Sequence, residues 1–166
     1  PEFEPSPESL KVKHDLVISI VNYKTKDYLK TCLETLFWDL EESGLTFKII
    51  VTDKHSGDDL SDLSQLYPQV EFSYLDQNVG YGGANNRALS NQNANVFLIL
   101  NPDIEFIERG TVKKLYDRLY QKDKVAVVGP RLETSEGKTQ KWDHGGANFL
   151  RQPVFSEWKE RFVPTD

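Results

Sequence analysis

Asn95-Val96-Phe97-Leu98-Ile99-Leu100-Asn101-Pro102-Asp103 is the stretch on which the reading of the chain turns. An apolar run with strand character stops at a proline, and the next residue is a carboxylate. Proline fixes φ and has no N–H, so a ladder of backbone hydrogen bonds cannot pass through it. A buried strand therefore delivers Asp103 to the edge of a sheet, with Asn101 one step inside. Taken alone, the stretch also reads as an ordinary strand followed by an Asn-Pro-Asp turn. The neighbouring segments decide between the two.

Upstream, Leu16-Val17-Ile18-Ser19-Ile20-Val21 is a nearly continuous β-branched run, the mark of a strand buried on both faces, and Asn22-Tyr23 ends it. Over residues 26–42, Leu29, Cys32, Leu33, Leu36 and Leu40 recur at helical spacing, and Ser43-Gly44 supplies a stop. Phe47-Lys48-Ile49-Ile50-Val51-Thr52-Asp53 is a second strand that again ends on a carboxylate. Ser56-Gly57-Asp58-Asp59 reads as a helix start ahead of Leu60, Leu63 and Leu66. Val70-Glu71-Phe72-Ser73-Tyr74-Leu75 alternates, as a strand near the sheet edge does. A glycine-rich loop, residues 78–87, leads into a short helix through Ala88 and Leu89. Downstream, residues 111–122 form another amphipathic helix, and Val125-Ala126-Val127-Val128-Gly129-Pro130 reads as a fifth strand. Alternation of strand and helix predicts an α/β fold: a mostly parallel, open, Rossmann-like sheet with flanking helices.

The length of 166 residues suits one domain with a sizeable core, and 38% hydrophobic with 28% charged residues places it among globular proteins. A net charge of −6 speaks against a nucleic-acid binder. The single cysteine, Cys32, excludes an internal disulfide framework and fits a reducing, cytoplasmic setting. We expect residues 1–14 to be a disordered lead and residues 15–135 to be the folded domain. Residues 136–166 read as the start of an incomplete region, so the chain is expected to be truncated at its C-terminus.

In open α/β sheets, ligands bind outside the carboxyl ends of the strands, where strand order reverses. The unusual residues of this chain all fall there. Asn22 and Tyr23 end strand one, Asp53 ends strand two, the glycine-rich segment follows strand three, and Asn101-Pro102-Asp103 ends strand four. Gly80, Gly82 and Gly83 permit positive φ and close approach of backbone to ligand. The segment is not the dinucleotide fingerprint, which follows the first strand, and a simple turn is its other reading.

Taken together, Val21-Asn22-Tyr23, Val51-Thr52-Asp53 with Ser56-Gly57-Asp58, the run Asn78-Val79-Gly80-Tyr81-Gly82-Gly83-Ala84-Asn85-Asn86, and Leu100-Asn101-Pro102-Asp103 resemble the family 2 glycosyltransferases. The likeness is greatest to the bacterial rhamnosyltransferase-like members that build surface polysaccharides, and it covers roughly residues 15–135. It implies the A-type glycosyltransferase (GT-A) fold and a nucleoside-diphosphate-sugar donor carrying uridine or thymidine. It further implies transfer with inversion to a glycan or lipid-linked acceptor, and a cytoplasmic protein at the inner face of the membrane. By the same resemblance Tyr23 lies near the base and Asp53 accepts a hydrogen bond from it. Gly80, Gly82, Gly83, Asn86 and Arg87 shape the ribose and diphosphate pocket, Asn22, Asn78 and Asn101 also bind the nucleotide sugar, and Asp103 holds Mg²⁺ or Mn²⁺. Hard cations of this kind are commonly held by one or two carboxylates plus substrate phosphates.

The sequence departs from the family in two places. Lys54-His55 follows Asp53 where a small or amide residue is common, and Lys54 is expected to be solvated. The family's general base lies in an acceptor-side region that is short here, leaving Asp143, beside His144, as the candidate. Trp142, Phe149 and Trp158 are expected to pack rather than to stack on sugar. Asp58, Asp59 and Asp62 are expected to serve the dipole and cap of their helix. Two other readings stay open: a donor-binding half without catalysis, and a nucleotidyltransferase-like protein, which would want a glycine- and lysine-rich loop after strand one.

Overall fold

The computed structural model describes residues 13–121, 125–134 and 136–139. Strands β1 (His14–Asn22), β2 (Phe47–Asp53), β3 (Val70–Tyr74) and β4 (Ala94–Leu100) form one parallel sheet in the order β3-β2-β1-β4. The chain steps outward through β2 to β3, then returns to lay β4 against the other side of β1. Strand order therefore reverses between β1 and β4. β1 begins at His14, inside the segment expected to be a disordered lead.

Helices lie on both faces because β1 is apolar on both. On one face Leu16, Ile18, Ile20, Ile49 and Val51 bury against the Leu29, Cys32, Leu33, Leu36 and Leu40 stripe of α1 (Lys26–Leu40). Leu63 of α2 (Ser61–Leu66) and Val112 of α4 (Thr111–Gln121) join the same cluster. On the other face Val17 and Ile50 meet Ala88 of α3 (Gly80–Leu89), and Ser19 Oγ donates to Asn85 Oδ1 at 2.7 Å. β3 is an edge strand, as its alternation suggests. β4 alternates too, leaving Phe97 and Ile99 exposed.

The chain divides into two compact units, residues 1–116 and 117–166. In the second, a bridge between Glu133 and Thr139 closes a tight reversal at Gly137, whose φ is +72°. The expected fifth strand does not form: residues 125–130 carry no regular structure and Val127 is exposed. β-branched residues favour strands through packing on a pleated, paired surface, and the run has no ladder partner among the described residues. α1 ends at Leu40, two residues early, where Ser43 N donates to Leu40 O and Gly44 takes φ +67°.

The Leu33 side chain is fully buried in the main cluster. Leu33→Ala is expected to cost about 2–5 kcal/mol of unfolding free energy. Urea denaturation checks this, and a loss below about 1 kcal/mol would mean that the α1 stripe is not the core.

Candidate functional site

Parallel register sets the strand tips in a row. Asn22 stands opposite Asp53, and Asp53 opposite Tyr74. Two more backbone bonds carry the row past the strand ends, from Lys54 N to Asn22 O (3.1 Å) and from Leu75 N to Asp53 O (2.9 Å). Asn22 and Asp53 are both buried. Buried polar groups of this kind cost several kcal/mol unless each is partnered, and here each is. Asn22 Nδ2 donates to Asp53 Oδ2 (2.7 Å) and to Asp58 Oδ2 (2.9 Å), and Asn22 Oδ1 accepts from Thr25 Oγ1 (2.9 Å). Ser56 donates twice to Asp53, through its N–H to Oδ1 (2.9 Å) and through its hydroxyl to Oδ2. A carboxylate accepts about four hydrogen bonds, so Asp53 Oδ1 retains acceptor capacity.

That capacity borders an open pocket of about 460 Å³, lined by Asp53, His55, Ser56, Gly57, Asp58, Asp59, Tyr74 and Leu75. Burial, then the Asp53 and Asp59 charges, push the Tyr74 phenol above its ordinary pKa. The network also explains why α2 starts late. Ser56 and Asp58 are drawn to Asp53 and Asn22, so residues 56–60 form a loop and the helix begins at Ser61. Asp59 Oδ1 accepts from Ser61 N, as a cap would, but Asp58 belongs to the site and Asp62 pairs with Lys26 at 2.8 Å. Asp59 and Asp62 thus serve the start of α2 as expected, whereas Asp58 accepts from Asn22 instead.

Tyr23, just beyond the tip of β1, is 40% exposed. Lys54 Nζ lies 4.5 Å from its ring centroid and Lys24 Nζ 5.7 Å. Lys54 is therefore not a freely solvated side chain; it covers an aromatic ring at the rim. Lys24 (φ +59°) and His55 (φ +63°) both hold left-handed backbone, which costs a non-glycine residue about 1–3 kcal/mol. The strain sits on the two loops that bracket Tyr23.

Across the point of strand reversal, the residues after β4 are held from both sides of the sheet. Asn101 Oδ1 accepts from Tyr81 Oη of α3 (2.7 Å), and Asn101 O accepts from Cys32 Sγ of α1 (3.7 Å). Asp103 is exposed, and its charge reaches both neighbours. Burial chiefly, with the Asp103 carboxylate behind it, pushes the Cys32 thiol up to about 12 and raises the Tyr81 phenol.

The glycine-rich segment is helix rather than loop. Only Gly80 of its three glycines takes positive φ (+77°), with its N–H donating to Asn78 Oδ1 at 2.9 Å. Gly82 and Gly83 lie in the first turn of α3, and a Cβ on Gly83 would meet the Val79 side chain at 3.2 Å. Close packing, not positive φ, explains Gly83. Asn85, within the same motif, is buried and braces α3 against Ser19 of β1.

The structure thus brings Asn22, Tyr23 and Asp53 to one stretch of rim. It places Asn101 and Asp103, with Tyr81, beside the point of strand reversal, and Asn78 and Gly80 at the start of α3. Asn86 and Arg87 are exposed on α3, and Arg87 lies in its last turn. At 1.5 Å per residue that is roughly 10 Å from Gly80, toward the opposite end of the sheet. Asp143, Trp142, Phe149 and Trp158 lie outside the described residues. Among the described residues no group of three His, Cys, Asp or Glu comes together to hold a metal by itself. A single carboxylate that shares a hard cation with phosphate oxygens and water remains compatible with the geometry at Asp103.

The parallel α/β sheet with flanking helices and polar residues at its carboxyl rim is of a GT-A-like class, as its solved neighbours bear out. The sequence profile described as Glycosyl transferase family 2 matches residues 16–164, and the chain belongs to that family. Three solved structures share the fold. The mannosyltransferase PcManGT of Pyrobaculum calidifontis, in complex with GDP-Man and Mn²⁺, has a TM-score of 0.59 at 14% identity, over 81% of this chain and 39% of that one. S. aureus TarS 1-349 has 0.54 at 16% identity, over 76% of this chain and 43% of its own. TarS 1-349 with UDP has 0.53 at 20% identity, over 64% and 32%. The chain therefore spans about two fifths of the length of the first two. No curated protein compared with the chain matches it.

Replacing Asn22 by Asp would set a third carboxylate beside Asp53 and Asp58. Burial and like charge would both raise its folded pKa above the unfolded value, so the charged form is disfavoured in the fold. Asn22→Asp is expected to unfold at lower urea than the parent near pH 8 and to recover stability as pH falls through the raised pKa. Asn22→Leu, which leaves Asp53 and Asp58 adjacent without the donor between them, should recover in the same direction but less strongly. Stability of both variants that follows the parent's pH dependence would show that the amide does not separate charges.

Proposed function

We propose that this chain contributes the donor half of an inverting, metal-assisted glycosyltransferase whose substrate is a uridine or thymidine diphosphate sugar. The observation that carries the reading is the rim itself. A buried, fully ordered acceptor at Asp53 and an exposed aromatic ring at Tyr23 stand along one edge from the turn that presents Asp103. Asp53 Oδ1 takes the ring N–H of a pyrimidine, and Tyr23 offers a ring face for stacking. Asn101, fixed by Tyr81, borders the diphosphate together with Asn78 and the first turn of α3. Asp103 would hold Mg²⁺ or Mn²⁺, and the ion would supply Lewis acidity and charge neutralisation for a departing diphosphate. Arg87, two turns away from the rim, is not assigned a donor contact.

The transferred sugar is a hexose or deoxyhexose, as in the rhamnosyltransferase-like members, and the acceptor a glycan or lipid-linked glycan of a bacterial surface polysaccharide. The protein works in the cytoplasm, peripherally at the inner face of the membrane. No helix among the described residues is long and apolar enough to cross one. Asp143 is the candidate general base, since an inverting transfer needs a carboxylate within hydrogen-bond reach of the acceptor hydroxyl.

A thermal-shift panel of UDP-, dTDP- and GDP-sugars, with and without Mn²⁺, tests the donor. A pyrimidine preference that grows with Mn²⁺ is expected, and equal response to purine and pyrimidine would overturn the role of Asp53. Asp103→Ala should abolish the Mn²⁺-dependent part with an unchanged melting temperature in the absence of ligand. Asp53→Asn should weaken pyrimidine diphosphates by about 1–3 kcal/mol in titration calorimetry, the usual worth of a charged hydrogen bond. Binding without transfer or donor hydrolysis would leave the donor-binding half as the whole function of the chain.

A further inference from the structure

One face of α1 grips the backbone that follows β4 at three successive points. Cys32 Sγ donates to Asn101 O (3.7 Å), Thr35 Oγ1 accepts from Phe106 N (3.2 Å), and Asp39 accepts from Thr111 N (2.7 Å) and Val112 N (3.0 Å). Spacings of three and four residues put these side chains in one row along the helix. Each contact is specific in its chemistry. The Thr35 hydroxyl spends its proton on Thr31 O at 2.9 Å, which leaves a lone pair for Phe106 N–H. Asp39 is 2% exposed, and its two oxygens take two of the N–H groups at the start of α4, where the helix dipole favours a negative charge.

We propose that Thr35 and Asp39 are positioning residues for the Asp103 turn: by fixing the backbone at 106 and at 111–112, they set where the Asp103 carboxylate stands relative to the diphosphate. The inference rests on the donor-site reading above. Neither side chain touches the donor; both act through the segment between β4 and α4. Residues that orient a metal-binding carboxylate typically change metal affinity by about 10–100-fold when lost.

Titration calorimetry with UDP over a series of Mn²⁺ concentrations, well below each variant's melting temperature, tests this. Thr35→Val removes the acceptor at nearly constant shape, and Asp39→Asn removes one of two acceptors and the charge. In both, the Mn²⁺ concentration for half-maximal UDP binding is expected to rise about tenfold, with UDP affinity in EDTA unchanged. Thr35→Ser, which restores the hydroxyl, should return the parent midpoint. Variants that only melt lower, with the parent Mn²⁺ midpoint, would overturn the positioning role while leaving the donor site intact. A parent protein whose UDP binding ignores Mn²⁺ would overturn both.

Discussion

A buried carboxylate beside a half-buried one is tolerable only if something donates between them, and here one amide does so. Asn22 reaches Asp53 with one hydrogen bond and Asp58 with another, while its oxygen is satisfied by Thr25. The parallel register puts Asn22 there by pairing it with Asp53. From that pairing follow the course of the loop after β2, the late start of α2 and the open pocket beside Asp53. Replace the amide by a group without two donors and Asp53 keeps only its Ser56 hydrogen bonds, with nothing donating between it and Asp58.

The second half of the rim is held differently. Asn101 is clamped between helices on opposite faces of the sheet, its carbonyl by Cys32 of α1 and its side chain by Tyr81 of α3. The proline after it ends β4, so the chain leaves the sheet where β1 continues for two more residues. The Asn22–Asp53 side is a buried network with acceptor capacity left at Asp53 Oδ1; the Asp103 side is a turn held between helices. On the proposed reading, the first would be a rigid recognition edge and the second a carboxylate open to phosphate and metal.

The sheet was legible because its strands are apolar for a simple reason. Val17, Ile18, Ile20, Ile50 and Val51 are buried on one face or the other, so the run is continuous and the carboxylate at its end conspicuous. The stripe of α1 was readable on the same grounds. What the sequence could not show is long-range satisfaction. Asp39 reads as a polar residue of an amphipathic helix, and nothing local reveals that its oxygens serve a helix 72 positions later. Asn85 stands among polar residues after glycine, and nothing local reveals that it answers Ser19 on the sheet. Val125-Ala126-Val127-Val128 misled for the converse reason: propensity proposes a strand, but a ladder needs a neighbour. Gly82 and Gly83 misled because glycine permits positive φ without requiring it.

The carboxylate at position 39 also bears on the order of assembly. The N–H groups of Thr111 and Val112 find their acceptor in Asp39, which arrives only when α1 is seated on the sheet and a loop of some seventy residues has closed. A helix that depends on so distant a cap is built late. In pulsed hydrogen exchange during refolding, the amides of Thr111 and Val112 should gain protection after those of β1 and β2, which makes the start of α4 a natural clock for completion of this half of the molecule.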